Sequence, residues 1–172
     1  MKHSVPLWKN SRARAFAIRF LGVFFLFQLL AVAGLFNGFQ ELLAQLLGNW
    51  YAIPVRGTLL LLAPTPFEIS ALCTGITSVG IWWGLLWGFK LPAHDEKIAL
   101  AVWGTLLILL ANIVRVMLIV YFGINLYLQE VEIIHILSWF VMSALIMYAW
   151  YGFMKERYGY VNGKELAKAL LH

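Results

Sequence analysis

The sequence predicts an all-α fold, a polytopic membrane helix bundle with about four spanning helices, one interfacial amphipathic helix and a short outer hairpin. Composition is the first observation behind this prediction. The chain of 172 residues is 62% hydrophobic and only 12% charged, and its mean hydropathy is +0.81. Water-soluble globular proteins do not have this composition. Because each span takes about 20 residues, we expect a single integral membrane domain over residues 1–172.

The second observation is that four stretches are long and apolar enough to cross a bilayer. They are residues 16–36, 71–91, 98–122 and 133–154. The first stretch follows a basic run, as the apolar region of a signal peptide does. It is too long for that region and lacks a small-x-small cleavage pattern at its end, so we expect it to be retained as the first span.

The segment between the first two spans is expected to lie at the membrane surface. Leucines recur at helical spacing on one side and polar residues on the other, which is typical of an interfacial amphipathic helix. The leucines are Leu42, Leu43, Leu46 and Leu47, and the polar residues are Gln40, Glu41 and Gln45. If residues 42–62 formed a span instead, every later helix would be inverted and the basic C-terminal tail would face outward, against the positive-inside rule.

Two short extended segments follow the amphipathic helix, at residues 57–62 and 67–70. The Pro64-Thr65-Pro66 run between them marks a turn, so the pattern predicts a hairpin. Because residues 55–70 directly precede the second span, we expect them to form a lid that could pair with an extended substrate.

Basic residues are concentrated in the tails, 1–15 and 155–172, and in the loop at 90–97. With four spans, the positive-inside rule places all three on the cytoplasmic side of a cell membrane. The same rule accounts for the net charge of +5 without a nucleic-acid partner. The lipid bilayer is therefore the expected environment of this multi-pass protein.

Three side chains with chemical reactivity fall near the outer face in this topology: Cys73, Arg115 and His135. Cys73 and His135 are expected in the first turns of the second and fourth spans. Arg115 is seven residues before Phe122, roughly 10 Å below the outer end of the third span. A thiol, a guanidinium and an imidazole at one membrane face favour an enzyme whose active site is extracytoplasmic.

Each of the three residues also has an interpretation without catalysis. Arg115 could extend to the lipid headgroups, although a charge within a span usually faces the bundle interior, where Asn112 on the same helix face could hold it. Cys73 could be a small buried hydrophobic residue. A helix N-terminus and a nearby cation would instead favour its thiolate, and Gly75 would allow close approach. His135 could be an interfacial histidine satisfied by water or Glu132.

Cofactor chemistry has no support in the sequence. The single cysteine excludes an intramolecular disulfide and a multi-cysteine metal cluster. The chain contains no HExxH, GxSxG or phosphate-cradling glycine loop. We therefore expect no metal and no cofactor.

Three short motifs together resemble the exosortase/archaeosortase family of integral membrane cysteine transpeptidases. They are Cys73-Thr74-Gly75-Ile76, Asn112-Ile113-Val114-Arg115, and His135 at the head of the following helix. The resemblance covers residues 53–154, the expected catalytic core. It implies that Cys73 is the nucleophile, Arg115 the transition-state stabiliser and His135 the proton carrier. The supporting residues expected around them are Thr74, Gly75, Asn112, Glu132 and Ser138.

The resemblance also implies the substrates of the protein. They would be membrane proteins with a C-terminal sorting signal: a short motif, a transmembrane helix and a basic cluster. Cleavage near the motif would be followed by transfer of the new carboxyl end to a lipid or another envelope acceptor. Two other function classes stay open, a non-catalytic membrane assembly factor and an anion-binding transporter, with Asn112 and Arg115 as a polar clamp.

Overall fold

The computed structural model describes residues 11–63, 66–90, 92–125 and 128–159, without the side chains of Arg12 and residues 128–132. Most of the predicted basic tails lies outside these ranges. The helices are α1 (Ser11–Val32), α2 (Asn37–Tyr51), α3 (Ile76–Gly88), α4 (His94–Asn125) and α5 (Leu128–Tyr158). The strands are β1 (Val55–Arg56), β2 (Leu59–Leu60) and β3 (Phe67–Glu68), and a 3-10 turn (Ala71–Thr74) precedes α3.

Three of the described helices are long and apolar enough to cross a membrane: Ala13–Val32, His94–Asn125 and Ile133–Tyr158. The prediction of an all-α membrane protein is confirmed at this level, whereas the number of four spans is not. The predicted second span, residues 71–91, is divided into the 3-10 turn and α3, which has 13 residues. At 1.5 Å per residue α3 is roughly 20 Å long, short of a hydrocarbon core of about 30 Å.

Gly75 determines where α3 begins, and Lys97 stabilises the end of α3. Gly75 adopts φ +80°, a left-handed conformation that stops the 3-10 turn and starts α3 in a new direction. At the other end, the Lys97 ammonium donates a hydrogen bond to the Phe89 carbonyl at 2.6 Å. A cation at the carbonyl end of a helix stabilises that end.

A row of glycines on α3 packs against phenylalanines of α1. Gly80, Gly84 and Gly88 are spaced four residues apart and therefore share one helix face. A Cβ at Gly84 would lie 2.8 Å from Phe20, and one at Gly88 would lie 2.7 Å from Phe16. The glycines are therefore required for this close helix contact, as at small-residue interfaces between membrane helices.

The amphipathic helix is present as α2, but its leucines do not share one environment. Leu43 and Leu47 are fully buried against the rest of the molecule, whereas Leu42 and Leu46 are exposed. The Tyr51 hydroxyl, at the end of α2, donates to the Met117 carbonyl of α4 at 2.9 Å. Of the four leucines predicted to face lipid, Leu43 and Leu47 thus belong to the protein core, and Leu42 and Leu46 remain on the surface of the molecule.

The predicted hairpin is confirmed as the pair β2 and β3, and β1 extends it to a three-stranded antiparallel sheet in the order β1-β2-β3. Leu60 of β2 lies opposite both Val55 and Phe67. Leu60 and Ile69 are completely buried. The turn residues Pro64 and Thr65 lie outside the described residues. We call the end of the bundle that carries this sheet the sheet end.

Candidate functional site

The sequence predicted Cys73 in the first turn of the second spanning helix. In the structure it lies instead in the 3-10 turn that precedes α3, at the sheet end. Its backbone amide donates to the Ser70 carbonyl at 2.9 Å. The Thr74 hydroxyl donates to the Ala71 carbonyl at 2.5 Å, which tightens the same turn. The left-handed Gly75 separates this turn from α3, so Cys73 is presented on a short, separately constrained segment.

The Cys73 side chain is buried, with only 3% of its surface exposed. It packs in an apolar cluster with residues from α2, the sheet and α4. Its buried neighbours in the cluster are Leu43, Ala44, Leu47, Leu60, Ile69, Val116 and Val120. The segment predicted as a lid therefore does contribute to the covering of Cys73, through Leu60 and Ile69. In this structure the thiol is therefore covered by apolar side chains.

A residue that the sequence analysis did not identify lies beside the thiol. The Ser70 hydroxyl is 3.6 Å from the Cys73 sulfur, within hydrogen-bonding distance for sulfur. Either atom can be the donor. The signal in the sequence is weak, a serine three residues before a cysteine, because only the turn brings the two side chains to the same side.

Asn112 connects the Cys73 turn to α4. Its side-chain amide donates to the Cys73 carbonyl at 2.6 Å, and its side-chain oxygen accepts a hydrogen bond from Arg115 Nη1 at 3.1 Å. Asn112 is 2% exposed and has both bonds inside the bundle. A Cβ on Gly75 would lie 2.9 Å from the Asn112 side chain, so glycine at this position is needed for the approach as well as for the backbone turn.

The Arg115 guanidinium points into the bundle. The side chain is 6% exposed, which excludes the interpretation that it extends outward to lipid headgroups. Besides Asn112, it donates from Nε to the Ser138 hydroxyl of α5 at 2.8 Å. α4 continues to Asn125, so Arg115 lies ten residues, or roughly 15 Å, before the end of this helix. This is farther from the helix end than the 10 Å expected from the sequence.

His135 is the third candidate and lies on α5 near Arg115. Its Nε2 is 3.5 Å from Arg115 Nη2. Because a guanidinium only donates, Nε2 takes part in a hydrogen bond here only as the acceptor, in the tautomer that leaves this nitrogen unprotonated. α5 begins at Leu128, two turns before His135, and the apolar candidate span within α5 begins at Ile133. The Ser138 hydroxyl donates to the His135 carbonyl at 2.7 Å. This bond turns the lone pairs of the Ser138 oxygen toward Arg115, which donates to it.

The structure thus brings most of the predicted site residues together. A continuous path of hydrogen bonds runs from the Cys73 carbonyl through Asn112 and Arg115 to Ser138 and His135. Thr74 is completely buried in the same turn as Cys73. The side chain of Glu132 lies outside those described, so its expected contact with His135 stays a prediction.

The side chains of this arrangement are polar and form hydrogen bonds with one another. Within the described ranges, no group of three His, Cys, Asp or Glu side chains is placed to hold a metal ion. The contacts with Asn112, Ser138 and His135 use three of the five guanidinium N–H groups of Arg115. The arrangement therefore places a thiol (Cys73), a proton acceptor (His135) and a guanidinium that can donate two hydrogen bonds to an anion (Arg115) on three different elements.

Comparisons of the chain with protein-family models, with curated proteins and with solved structures find no match. The resemblance to the exosortase/archaeosortase family accordingly depends on the three motifs alone.

Proposed function

We propose that the protein is a membrane-embedded cysteine protease or transpeptidase that cleaves C-terminal sorting signals of surface-destined proteins and transfers the new carboxyl end to an envelope acceptor. Cys73 is the nucleophile, Arg115 the oxyanion stabiliser and His135 the acid and base. This proposal combines the resemblance of the motifs with the geometry of the site.

The hydrogen-bonded path from Cys73 through Asn112 to Arg115 and His135 is the observation that carries the proposal. A charged side chain at the centre of a spanning helix costs about 2.5 to 3.5 kcal/mol on insertion scales. Such residues are usually functional. Here the contacts of Arg115 with Asn112, Ser138 and His135 hold it inside the bundle, and Asn112 joins it to the backbone of the Cys73 turn.

The proposed reaction begins when His135 Nε2 gives up its contact with Arg115 and accepts the thiol proton, and the Cys73 sulfur attacks the scissile carbonyl. The N–H groups of Arg115 that its three contacts leave unused bind the oxygen as negative charge develops on it. The C–N bond then breaks, His135 returns the proton to the leaving amine, and a thioester remains. A nucleophile from the acceptor then gives its proton to His135 and forms a bond to the carbonyl carbon. The C–S bond breaks, and the departing sulfur takes the proton from His135 to restore the thiol.

Membrane placement is part of the proposal. We infer that the 3-10 turn and α3 together make a fourth crossing between the three long helices, which puts the sheet end at the extracytoplasmic face and both termini in the cytoplasm. The exposed Leu42, Leu46 and Trp50 of α2 then face lipid and headgroups at that surface.

The test is co-expression with a protein that ends in a short motif, an apolar helix and a basic cluster. Cys73→Ala and Cys73→Ser are expected to abolish its processing. Arg115→Lys keeps the charge but loses the planar fork, so we expect a loss of about 10² to 10³ in rate. Arg157→Lys is the matched control, because Arg157 is exposed and bonds Glu96, and it should process normally.

The second candidate function is a non-catalytic assembly factor, and the burial of Cys73 favours it, because packing cysteines in membrane helices are buried. In that case the contacts of Asn112, Arg115 and Ser138 serve only to join α4 to its neighbours. Normal processing by Cys73→Ala, in membranes with wild-type amounts of protein, would eliminate the enzyme and leave this function.

A further inference from the structure

Two hydroxyl side chains belong to the 3-10 turn and its start, and they have different partners. The Thr74 hydroxyl donates to the Ala71 carbonyl and accepts from the Ile76 amide at 3.4 Å, so the backbone of the turn uses it. The Ser70 hydroxyl is 3.6 Å from the Cys73 sulfur. Among the described residues, the sulfur is the only hydrogen-bonding partner of this hydroxyl. One hydroxyl thus stabilises the turn, and the other faces the thiol.

Ser70 lies at a position where a serine side chain ordinarily binds the backbone. It is the N-cap of the 3-10 turn, and an N-cap serine usually accepts a hydrogen bond from an amide two or three residues ahead. No such side-chain bond is present at this N-cap. The turn therefore forms without the Ser70 hydroxyl, which is left to the sulfur.

The backbone of Ser70 is held on both sides. Its amide donates to the Glu68 carbonyl of β3 at 3.1 Å, and its carbonyl accepts from the Cys73 amide at 2.9 Å. The first bond connects Ser70 to the sheet, and the second connects it to the Cys73 turn. The hydroxyl is therefore held at a defined position beside the sulfur.

The surroundings of the sulfur determine what this hydroxyl can do. The buried neighbours that pack around Cys73 are apolar side chains, which donate no hydrogen bond. A negative charge on the sulfur is costly in such surroundings unless a donor faces it. A hydroxyl can rotate, so it can accept from a neutral thiol and donate to a thiolate. Because a hydrogen bond to a charged group is about twice as strong as a neutral one, Ser70 stabilises the charged sulfur more than the neutral thiol.

We propose that Ser70 is a further catalytic residue, which donates a hydrogen bond to the Cys73 sulfur whenever the reaction places negative charge on it. The inference rests on the proposed function. When the thiol proton leaves for His135, the Ser70 hydroxyl rotates and donates to the sulfur. When the C–S bond of the thioester breaks, its electron pair returns to the sulfur, and the same hydroxyl donates until the proton arrives from His135. No bond to the Ser70 oxygen forms or breaks.

The size of the effect follows from two opposing properties of a stabilised thiolate. A hydrogen bond to a charged group shifts an equilibrium by about 10- to 150-fold. The stabilised thiolate is also a weaker nucleophile, with a Brønsted coefficient of about 0.4 to 0.5. About half of the gain on a logarithmic scale, or about 3- to 12-fold, therefore remains in the rate of attack.

The first measurement is the infrared S–H stretching band of the purified full chain in detergent. The chain has a single cysteine, so this band reports Cys73 alone. A thiol that donates a hydrogen bond absorbs at lower frequency than one that does not. We expect Ser70→Ala to move the band to higher frequency, and Ser70→Thr, which keeps the hydroxyl, to leave it near the wild-type position. An unchanged band in Ser70→Ala would overturn the proposal.

The second measurement is the rate of alkylation of Cys73 by N-ethylmaleimide at constant pH. The sulfur adds to the double bond of the maleimide, and a proton from solvent goes to the neighbouring carbon. We expect Ser70→Ala to react about 3- to 12-fold more slowly and Ser70→Thr to restore the rate. A purely structural role would give the opposite sign, since a loosened cover speeds labelling. Equal or faster labelling of Ser70→Ala therefore contradicts the proposal.

Ser143→Ala is the matched control, because Ser143 is a half-buried serine of α5 whose hydroxyl donates to the Trp139 carbonyl at 3.0 Å. It should change neither the band nor the labelling rate. Ser70→Gly also removes the hydroxyl, and glycine is accepted at N-cap positions. It provides an independent variant if Ser70→Ala is not folded.

Processing of a co-expressed protein that ends in a short motif, an apolar helix and a basic cluster separates this inference from the proposed function. Ser70→Ala should slow processing by about 3- to 12-fold. If Cys73→Ala abolishes processing and Ser70→Ala processes at the wild-type rate, the role of Ser70 is wrong and the proposed function stands. If Cys73→Ala itself processes normally, the proposed function fails and the catalytic role of Ser70 fails with it.

Discussion

Asn112→Ala is the perturbation that examines the site most directly, because it removes one side chain that bonds both Cys73 and Arg115. Measured interhelical hydrogen bonds in membrane proteins average about 0.6 kcal/mol and reach about 1.7 kcal/mol. Two lost bonds therefore correspond to a decrease of about 1 to 3 kcal/mol in the free energy of unfolding. For a chain of this size, Tm should fall by about 2 to 12 °C.

The assay is thermal unfolding of the purified protein in one detergent, with Asn125→Ala as the matched control. Asn125 lies on the same helix and donates to the Tyr121 carbonyl at 2.7 Å, but this contact is exposed. Its replacement should change Tm by less than about 2 °C, since surface substitutions have small effects. Equal Tm values for the two variants would refute the reasoning that Asn112 holds the Cys73 turn to α4.

Further predictions concern the helix seam, the cover of the thiol and the two roles of Asn112. Gly84→Leu should lower the free energy of unfolding by about 1 to 3 kcal/mol through overpacking. Gly152→Leu is the control and should not lower it, because a Cβ at Gly152 meets nothing within 4 Å. The free energies of unfolding of the two variants are measured in detergent. Ile69→Ala should speed thiol labelling of Cys73 by about 30-fold, because about 2 kcal/mol of packing in the closed state is lost. An unchanged labelling rate would exclude the sheet as the cover. In Asn112→Asp the side chain still accepts a hydrogen bond from the guanidinium but cannot donate one to the Cys73 carbonyl. We therefore expect processing of a co-expressed substrate to fall, while Tm stays closer to the wild-type value than in the alanine variant. Processing at the wild-type rate would contradict this.

Some features of the site could be predicted from the order of residues alone. Arg115 is conspicuous because an arginine within an apolar stretch needs a polar surrounding, and Asn112 at i−3 is the partner that helical spacing offers. The structure confirms their contact at 3.1 Å. Gly75 is likewise predictable as a point of close approach, and Asn112 packs against it.

Other features could not be predicted, for a physical reason. Hydropathy identifies a spanning helix but not its rotation about its own axis when every face is apolar. α3 shows this directly, since it is apolar all round and is buried along most of its length between the other helices. Ser138 is among the supporting residues expected from the sequence, but its bond to Arg115 depends on how α4 and α5 are turned toward each other.

The sequence by itself determined that this is a membrane protein with long apolar helices, a surface amphipathic helix and a short β-hairpin, because burial of apolar segments and turn chemistry are local properties. Only the tertiary structure decided that Cys73 lies in a covered turn outside α3 and that Asn112 connects it to Arg115. These facts depend on contacts between elements far apart in the chain. Their geometry follows from side-chain packing and not from the hydropathy of any one segment.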